Sequence, residues 1–171
     1  NLFLSKDINE VNELTQKLNE YNKTRQEIEK RIYKDATIQI EEQGLANKNT
    51  IVLMGENWHH GVIGIVASKI TEMYFKPSIL LCEEDDLGKG SGRSIPGFDL
   101  YEALTECKES IDKFGGHAMA VGINVKKDKL EEFKEKLEQI SKEKNIEEIV
   151  PILKIDAQIS LDEINKEMVN S

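Results

Sequence analysis

Twelve residues, Gly88-Lys89-Gly90-Ser91-Gly92-Arg93-Ser94-Ile95-Pro96-Gly97-Phe98-Asp99, restrict this chain more than any other stretch. Glycine at every second position strips one face of an extended segment, so another chain or a ligand can approach the backbone closely. Two hydroxyls, Ser91 and Ser94, and the guanidinium of Arg93 stand between the glycines. Pro96-Gly97 turns the chain, and Asp99 with Glu102 reads as a capping box that opens a helix at Leu100. Backbone N–H groups, hydroxyls and a bidentate cation in one run are what a phosphate oxygen needs. The same pattern fits a glycine-rich edge strand with a solvated arginine, and this stretch alone leaves both readings open.

A second stretch favours the first reading. Phe114-Gly115-Gly116-His117-Ala118-Met119-Ala120-Val121-Gly122 opens on a glycine pair and a histidine, then runs into small and apolar residues that predict a buried strand. Gly115-Gly116 can take positive φ and point successive N–H groups into one concavity suited to an anion. His117 stands at the lip of that corner, able to donate to a phosphate or stack on a base.

The balance of charge limits how such a site could work. The 171 residues carry 32 acids against 23 Lys and Arg, a net charge of −9. A broad basic footprint for nucleic acid is therefore excluded, and phosphate binding has to be local, in a pocket. No run approaches the roughly 18 apolar residues of a membrane span. The two cysteines, Cys82 and Cys107, lie among apolar neighbours, which suits buried thiols in a reducing cytoplasm. The opening Asn1-Leu2-Phe3-Leu4 reads as the middle of something longer.

Taken in order, the chain predicts an α/β core: a mixed β-sheet flanked by helices and preceded by a long connecting helix. From about Lys6 to Gln43, Val11, Leu14, Leu18, Tyr21, Ile28 and Ile32 form a stripe at spacings of three and four, broken once by Arg25. A helix of that length cannot bury its stripe on a domain of this size alone. It is either a connector that packs on a partner domain or a self-associating coiled coil. A strand over Thr50–Met54 follows, then a loop carrying Trp58, His59 and His60, and an apolar helix from Gly61 to about Tyr74. Gly61 and Gly64, one turn apart, are expected to let this helix approach a sheet closely. The histidine pair stands at a strand-to-helix junction, where a helix N-terminus favours an anion. With only Glu56 beside it, the pair lacks the ligands a metal requires. Further strands are expected over Ser78–Glu83 and the glycine stretch, with a helix over Leu100–Ile111. The Gly-Gly-His corner then leads into a strand through Val125. An amphipathic helix follows over Lys127–Lys144, with Leu130, Phe133, Leu137 and Ile140 inward. A strand over Val150–Ile159 and a short helix over Leu161–Val169 close the chain.

Three motifs now stand in order: Trp58-His59-His60-Gly61-Val62-Ile63-Gly64-Ile65-Val66-Ala67-Ser68, Gly90-Ser91-Gly92-Arg93-Ser94-Ile95-Pro96-Gly97-Phe98-Asp99-Leu100, and Phe114-Gly115-Gly116-His117-Ala118-Met119-Ala120. Together they closely resemble the DHH-associated domain of the RecJ family of single-stranded-DNA exonucleases. Asn22, Arg25, Gln26 and Glu29 look like part of the helix that links the catalytic domain of that family to this one. Ile155-Asp156-Ala157 with Leu161 resembles the start of its oligonucleotide-binding barrel. The resemblance implies a division into 1–44 (connecting helix), 45–147 (substrate-binding domain) and 148–171 (start of an OB-fold-like domain). It implies hydrolysis of single-stranded DNA from the 5′ end in repair and recombination, with Mn or Mg held by the DHH domain. The cofactor belongs to that domain, with none in this stretch. The partners implied are single-stranded DNA and the DHH domain of the same chain, in the cytoplasm, with no membrane. Arg93 and His117, with Ser91, Gly92, Ser94 and the Gly115-Gly116 amides, would hold phosphates near the scissile bond. His59 matches the family pattern at the same cleft, and His60 falls at a variable position without a role. The Asp-rich metal motifs and the Asp-His-His triplet of the superfamily are absent from these 171 residues, so no catalytic or metal residue is assigned. Two alternatives stay open: a related oligoribonuclease or cyclic-dinucleotide phosphodiesterase domain, and a non-enzymatic interaction module built on the long helix.

Overall fold

A computed structural model describes residues 2–160 and 164. The first helix, α1, spans Ile8–Glu42, opened by Asp7, whose side chain accepts from the Asn9 amide. At about 1.5 Å per residue it is roughly 52 Å long. Its two halves have different surroundings. Ile32, Ala36 and Ile40 are fully buried, whereas Ile8, Leu18 and Tyr21 are exposed. The predicted stripe is thus real, and only its C-terminal half is covered within the described residues. Arg25, which breaks the stripe, donates to Asn22 and to the Glu29 carboxylate at 2.6 Å.

After α1 come β1 (Ile51–Gly55), α2 (His60–Tyr74), β2 (Ser78–Glu84), β3 (Leu87–Arg93), α3 (Leu100–Glu106), β4 (Lys113–His117), β5 (Ala120–Lys126) and α4 (Leu130–Glu143). The strands form one mixed sheet in the order β1-β2-β3-β5-β4; β1 and β2 are parallel and the other pairs antiparallel. One face packs under α3 and α4, burying Ile79, Leu81, Val121, Ile123, Phe133 and Leu137. The other packs under α1 and α2 through Leu53, Leu80, Val62, Val66, Ile32 and Ile40. The expected α/β class, mixed sheet and long leading helix are all present.

Four local expectations are corrected. The glycine pair is not a corner before a strand: Gly115, Gly116 and His117 belong to β4, and the chain turns at Ala118-Met119. A glycine pair lacks the side chains that reveal a strand. Gly116 sits at φ +144°, and a Cβ there would lie 2.3 Å from the Ala120 carbonyl oxygen, so both backbone and space require glycine at this position. Gly61 is exposed and its nearest neighbour is the His59 ring, so only Gly64 serves close approach to the sheet. The helix from Leu100 stops at Glu106 and continues as a 3-10 turn over Lys108–Ser110. Residues 150–160 form no strand, since Ile152 and Leu153 are 89% and 85% exposed and have no apolar surface to pack on. The expected helix over 161–169 lies outside the described residues apart from Ile164.

One buried ion pair ties α1 to α2. Glu29 is 7% exposed and its carboxylate meets the Lys69 ammonium and the Arg25 guanidinium. Lys69, reinforced by Arg25 against the cost of burial, holds this acid below the ordinary value of 4.5. Because the folded pKa is depressed, the stabilisation is fully present above 4.5 and is lost as the pH falls through the folded value. Glu29→Gln is expected to cost about 1–3 kcal/mol at neutral pH and to make stability less sensitive to acidification below the ordinary glutamate range. Urea titrations of both proteins at pH 7 and pH 3.5 measure this, and equal pH sensitivities would refute it.

Candidate nucleic-acid interface

Period two divides the side chains of β3 between the faces of the sheet. Gly88, Gly90 and Gly92 point into the α3/α4 core: added Cβ atoms would meet Met54, Leu81 and the Leu80 carbonyl, or Val121, Leu100 and Ile79. What approaches the stripped face is the protein's own core, not a ligand. Lys89, Ser91 and Arg93 point to the opposite face, the side of α2.

There α1 packs on β1 and α2 on β2 and β3, which leaves β5 and β4 open. Gly64 makes this junction possible, since its added Cβ would lie 3.0 Å from Arg93 Nη2 and 3.5 Å from Ser91 Oγ. Cross-strand pairing arranges the open part in three rows. Arg93, Ala120 and His117 form the first; Ser91, Gly122 and Gly115 the second; Lys89, Asn124 and Lys113 the third. The middle row is almost bare backbone, with nothing within 4 Å of a Cβ added at Gly115. A groove of about 590 Å³ lies over the second and third rows, bounded by His60 and Glu84 on the α2 side.

Hydrogen bonds orient the polar groups. Arg93 Nη1 donates to the Gly92 carbonyl at 2.8 Å, which anchors one part of a half-buried guanidinium. The Nδ1 of His117 accepts from the Met119 amide at 3.3 Å, so its neutral form carries the proton on Nε2, at the exposed end of the ring. His59 is held the same way as the N-cap of α2, accepting from the Gly61 amide at 3.0 Å. Glu84 joins His60 to Lys89, the latter at 2.6 Å. Lys89 first and His60 second hold the Glu84 carboxyl below its usual range. The hairpin turn docks on the segment after β3: Met119 and Ala118 carbonyls accept from the Ser94 and Leu100 amides, each at 3.0 Å.

Of the expected site residues, Ser91, Arg93, Gly115 and His117 therefore share one face. Ser94 is buried and donates to the Phe98 carbonyl at 2.7 Å, closing the turn instead of facing the groove. Gly92 and Gly116 lie on the opposite face, as strand alternation requires. His59 caps α2, and it is His60 that lines the groove. Lys113 and Asn124 escaped the sequence reading because only the β4–β5 register brings them beside Lys89. Lys89 itself was detectable from its period-two spacing to Ser91 and Arg93. Asp99 does cap α3, accepting from the Glu102 amide at 2.9 Å. The reciprocal arm of the capping box is replaced by a Glu102–Lys144 ion pair at 3.2 Å. Both cysteines are free and buried; burial pushes the Cys82 thiol up to about 11 and that of Cys107 up to about 12.

The fold is thus a mixed α/β sheet with one half-open, glycine-floored face on which the side chains of Lys89, Lys113 and Arg93 stand. The chain belongs to the DHHA1 domain family, whose pattern matches residues 47–143. It is 35% identical over 171 residues to the single-stranded-DNA-specific exonuclease RecJ of Bacillus subtilis, an alignment covering 98% of this chain and 22% of that protein. The RecJ of Escherichia coli is 34% identical over 151 residues, covering 81% and 26% respectively. The crystal structure of RecJ with Mg2+ from Thermus thermophilus superposes with a TM-score of 0.73 at 29% identity, over 83% of this chain and 22% of that one. An exonuclease RecJ bound to manganese gives the same TM-score and identity, over 86% and 37%. The chain thus spans about a quarter of the length of the curated relatives it matches. No three His, Cys, Asp or Glu side chains converge on a metal position among the described residues. At the one place where His60 and Glu84 meet, the third neighbour is the Lys89 ammonium, which does not suit a divalent cation.

The two pinned imidazoles give a spectroscopic test. In alkaline buffer, long-range ¹H–¹⁵N spectra are expected to show His59 and His117 both as the Nε2–H tautomer. A Nδ1–H signature for His117 would show that its outward nitrogen is not the donor.

Proposed function

We propose that this chain is the substrate-holding part of a RecJ-like, metal-dependent 5′-to-3′ exonuclease, and that it grips the backbone of single-stranded DNA during repair and recombination. The observation that carries the reading is the first row. Arg93 and the Nε2–H of His117 flank the small side chain of Ala120, with the Ser91 hydroxyl in the next row and α2 kept clear by Gly64. A guanidinium and an N–H donor facing one gap suit a phosphodiester oxygen pair. Arg93 and the Nε2–H of His117 are donors only, the complement of phosphate oxygens, and phosphate contacts position a strand without reading its sequence.

Cleavage belongs to residues outside this chain, in a DHH domain joined through α1, with the division 1–44, 45–147 and 148–171 kept as proposed and the whole protein cytoplasmic. The Mg2+ and Mn2+ of the solved relatives would be held there. Incubation of this chain with labelled single strands and Mn2+ is then expected to release no nucleotide. Release that disappears in His117→Ala would overturn the division of labour.

Arg93 is the residue to test for binding. Arg93→Lys keeps the charge and loses the planar fork, and is expected to weaken single-strand binding by about 1–2 kcal/mol. Arg93→Ala should weaken it further and reduce the salt slope by about 0.7, the value for one phosphate on a single strand. Gly64→Ala, which crowds Arg93 Nη2 without changing charge, is expected to reproduce part of the loss. Fluorescence anisotropy across a salt series reads all three. Wild-type affinity and slope in Arg93→Ala would leave the site without its cation.

A further inference from the structure

Row three repeats the chemistry of row one at the far end of the open face. Lys89, Asn124 and Lys113 lie side by side on β3, β5 and β4, four residues along each strand from Arg93, Ala120 and near His117. Two residues of antiparallel strand advance about 6.8 Å. An extended, unstacked nucleic-acid strand repeats its phosphates at roughly twice the 3.4 Å per-strand rise of a stacked duplex. The rows and the phosphates therefore share a period. A strand laid along the sheet with one phosphate at Arg93 brings its next over the bare Gly122–Gly115 floor and the one after beside Lys89 and Lys113. The N-terminus of the 15-residue helix α2 adds partial positive charge at this end, where His60 faces the groove.

Lys89 is not idle in the free protein. Its ammonium pairs with the Glu84 carboxylate, which also takes His60. Lys113 is exposed and makes no ion pair among the described residues. Asn124 stands between the two lysines, with its amide available as a neutral donor.

We propose that Lys89, Lys113 and Asn124 form a second backbone-phosphate subsite, two nucleotides along the strand from the one at Arg93 and His117, in which Glu84 serves as the counter-ion until a phosphodiester replaces it. The proposal rests on the phosphate-holding role given to Arg93 above. It adds a minimum length: a dinucleotide occupies the first subsite only, and a longer strand bridges both. The bare middle row follows from the same geometry, since side chains at Gly115 and Gly122 would lift the backbone away from both cation rows.

Binding of a thymidine dodecamer and of a 5′-phosphorylated thymidine dinucleotide, the latter by competition, separates the two subsites. The Lys89→Gln/Lys113→Gln double variant is expected to bind the dodecamer about three- to tenfold more weakly, the scale of one net hydrogen bond, since Glu84 already holds Lys89 in the free protein. Its salt slope should fall by about 0.7, with dinucleotide binding unchanged. Glu84→Gln should tighten the dodecamer alone, and Arg93→Ala should weaken both ligands. Should the double variant prove less stable in a thermal melt, Lys113→Gln alone, at an exposed position, is expected to show the same length dependence. Wild-type dodecamer binding by the lysine variants, with both ligands lost in Arg93→Ala, would overturn the second subsite and leave the first. Equal loss of both ligands in the double variant would also overturn it, as a general field effect. If Arg93→Ala changes nothing either, both subsites fall together.

Discussion

The position of the candidate interface depends on how β3 divides its two faces. As the middle strand it has neighbours on both edges and a helical layer across one whole face. Leu81, Ile79, Val121 and Leu100 fill the space where β3 side chains would otherwise stand, and a Cβ at Gly90 would lie 2.0 Å from the Leu80 carbonyl oxygen. Glycine on that face is thus a packing requirement. The side chains of the glycine-rich strand are consequently left to the other face, where Lys89, Ser91 and Arg93 line up on the side of α2. The same alternation that closes the core opens the groove.

The second constraint is the placement of α2, and α1 governs it. Trp58 fills the space above Gly55 and its indole N–H donates to Asp35 of α1 at 2.6 Å. Arg31 of α1 donates to the Asn57 carbonyl at 3.1 Å, in a loop where Asn57 takes φ +58°. Glu29 holds Lys69 one helix further along. These three contacts fix the loop that carries His59 and His60, the start of α2, and through Gly64 the space left for Arg93. The same long helix whose N-terminal half is exposed among the described residues therefore also holds the rim of the groove.

Legibility in the sequence followed how local the information was. The stripe of α1 was readable to within two residues at its start and one at its end, because a helix repeats its signal over many turns. The caps at Asp99 and the strands at Ser78 and Gly88 were equally local. The Gly-Gly-His segment reads as a corner in the sequence because glycine gives no periodic signal, and only pairing with β5 makes it a strand. Arg93, Ser91 and His117 were named from chemistry and do share a face. Ser94 and Gly92 share the motif but not the face, because a motif read as a string ignores the alternation that turns each second residue away. Lys113 and Asn124 were invisible for the opposite reason: they are distant in sequence from Lys89, and a hairpin register is a long-range fact.

The net charge of −9 is compatible with holding a polyanion only if the acids stay off one face. Among the described residues that line the groove a single carboxylate, Glu84, stands with Lys89 and Lys113, and it is already committed to Lys89 and His60. Elsewhere the acids pair with lysines of their own: Glu83 with Lys127, Glu132 with Lys129, Glu102 and Glu106 with Lys144. At physiological salt, charges farther apart than about 8 Å are largely screened, so a strand in the groove responds to the rows beneath it and little to the acidic surface beyond. Such a surface disfavours non-specific adhesion of nucleic acid anywhere except along the open half of the sheet. On the proposed reading the acidic total and the groove are complementary: the one would discourage binding at other places, and the other would give a phosphate backbone a track along β3, β5 and β4.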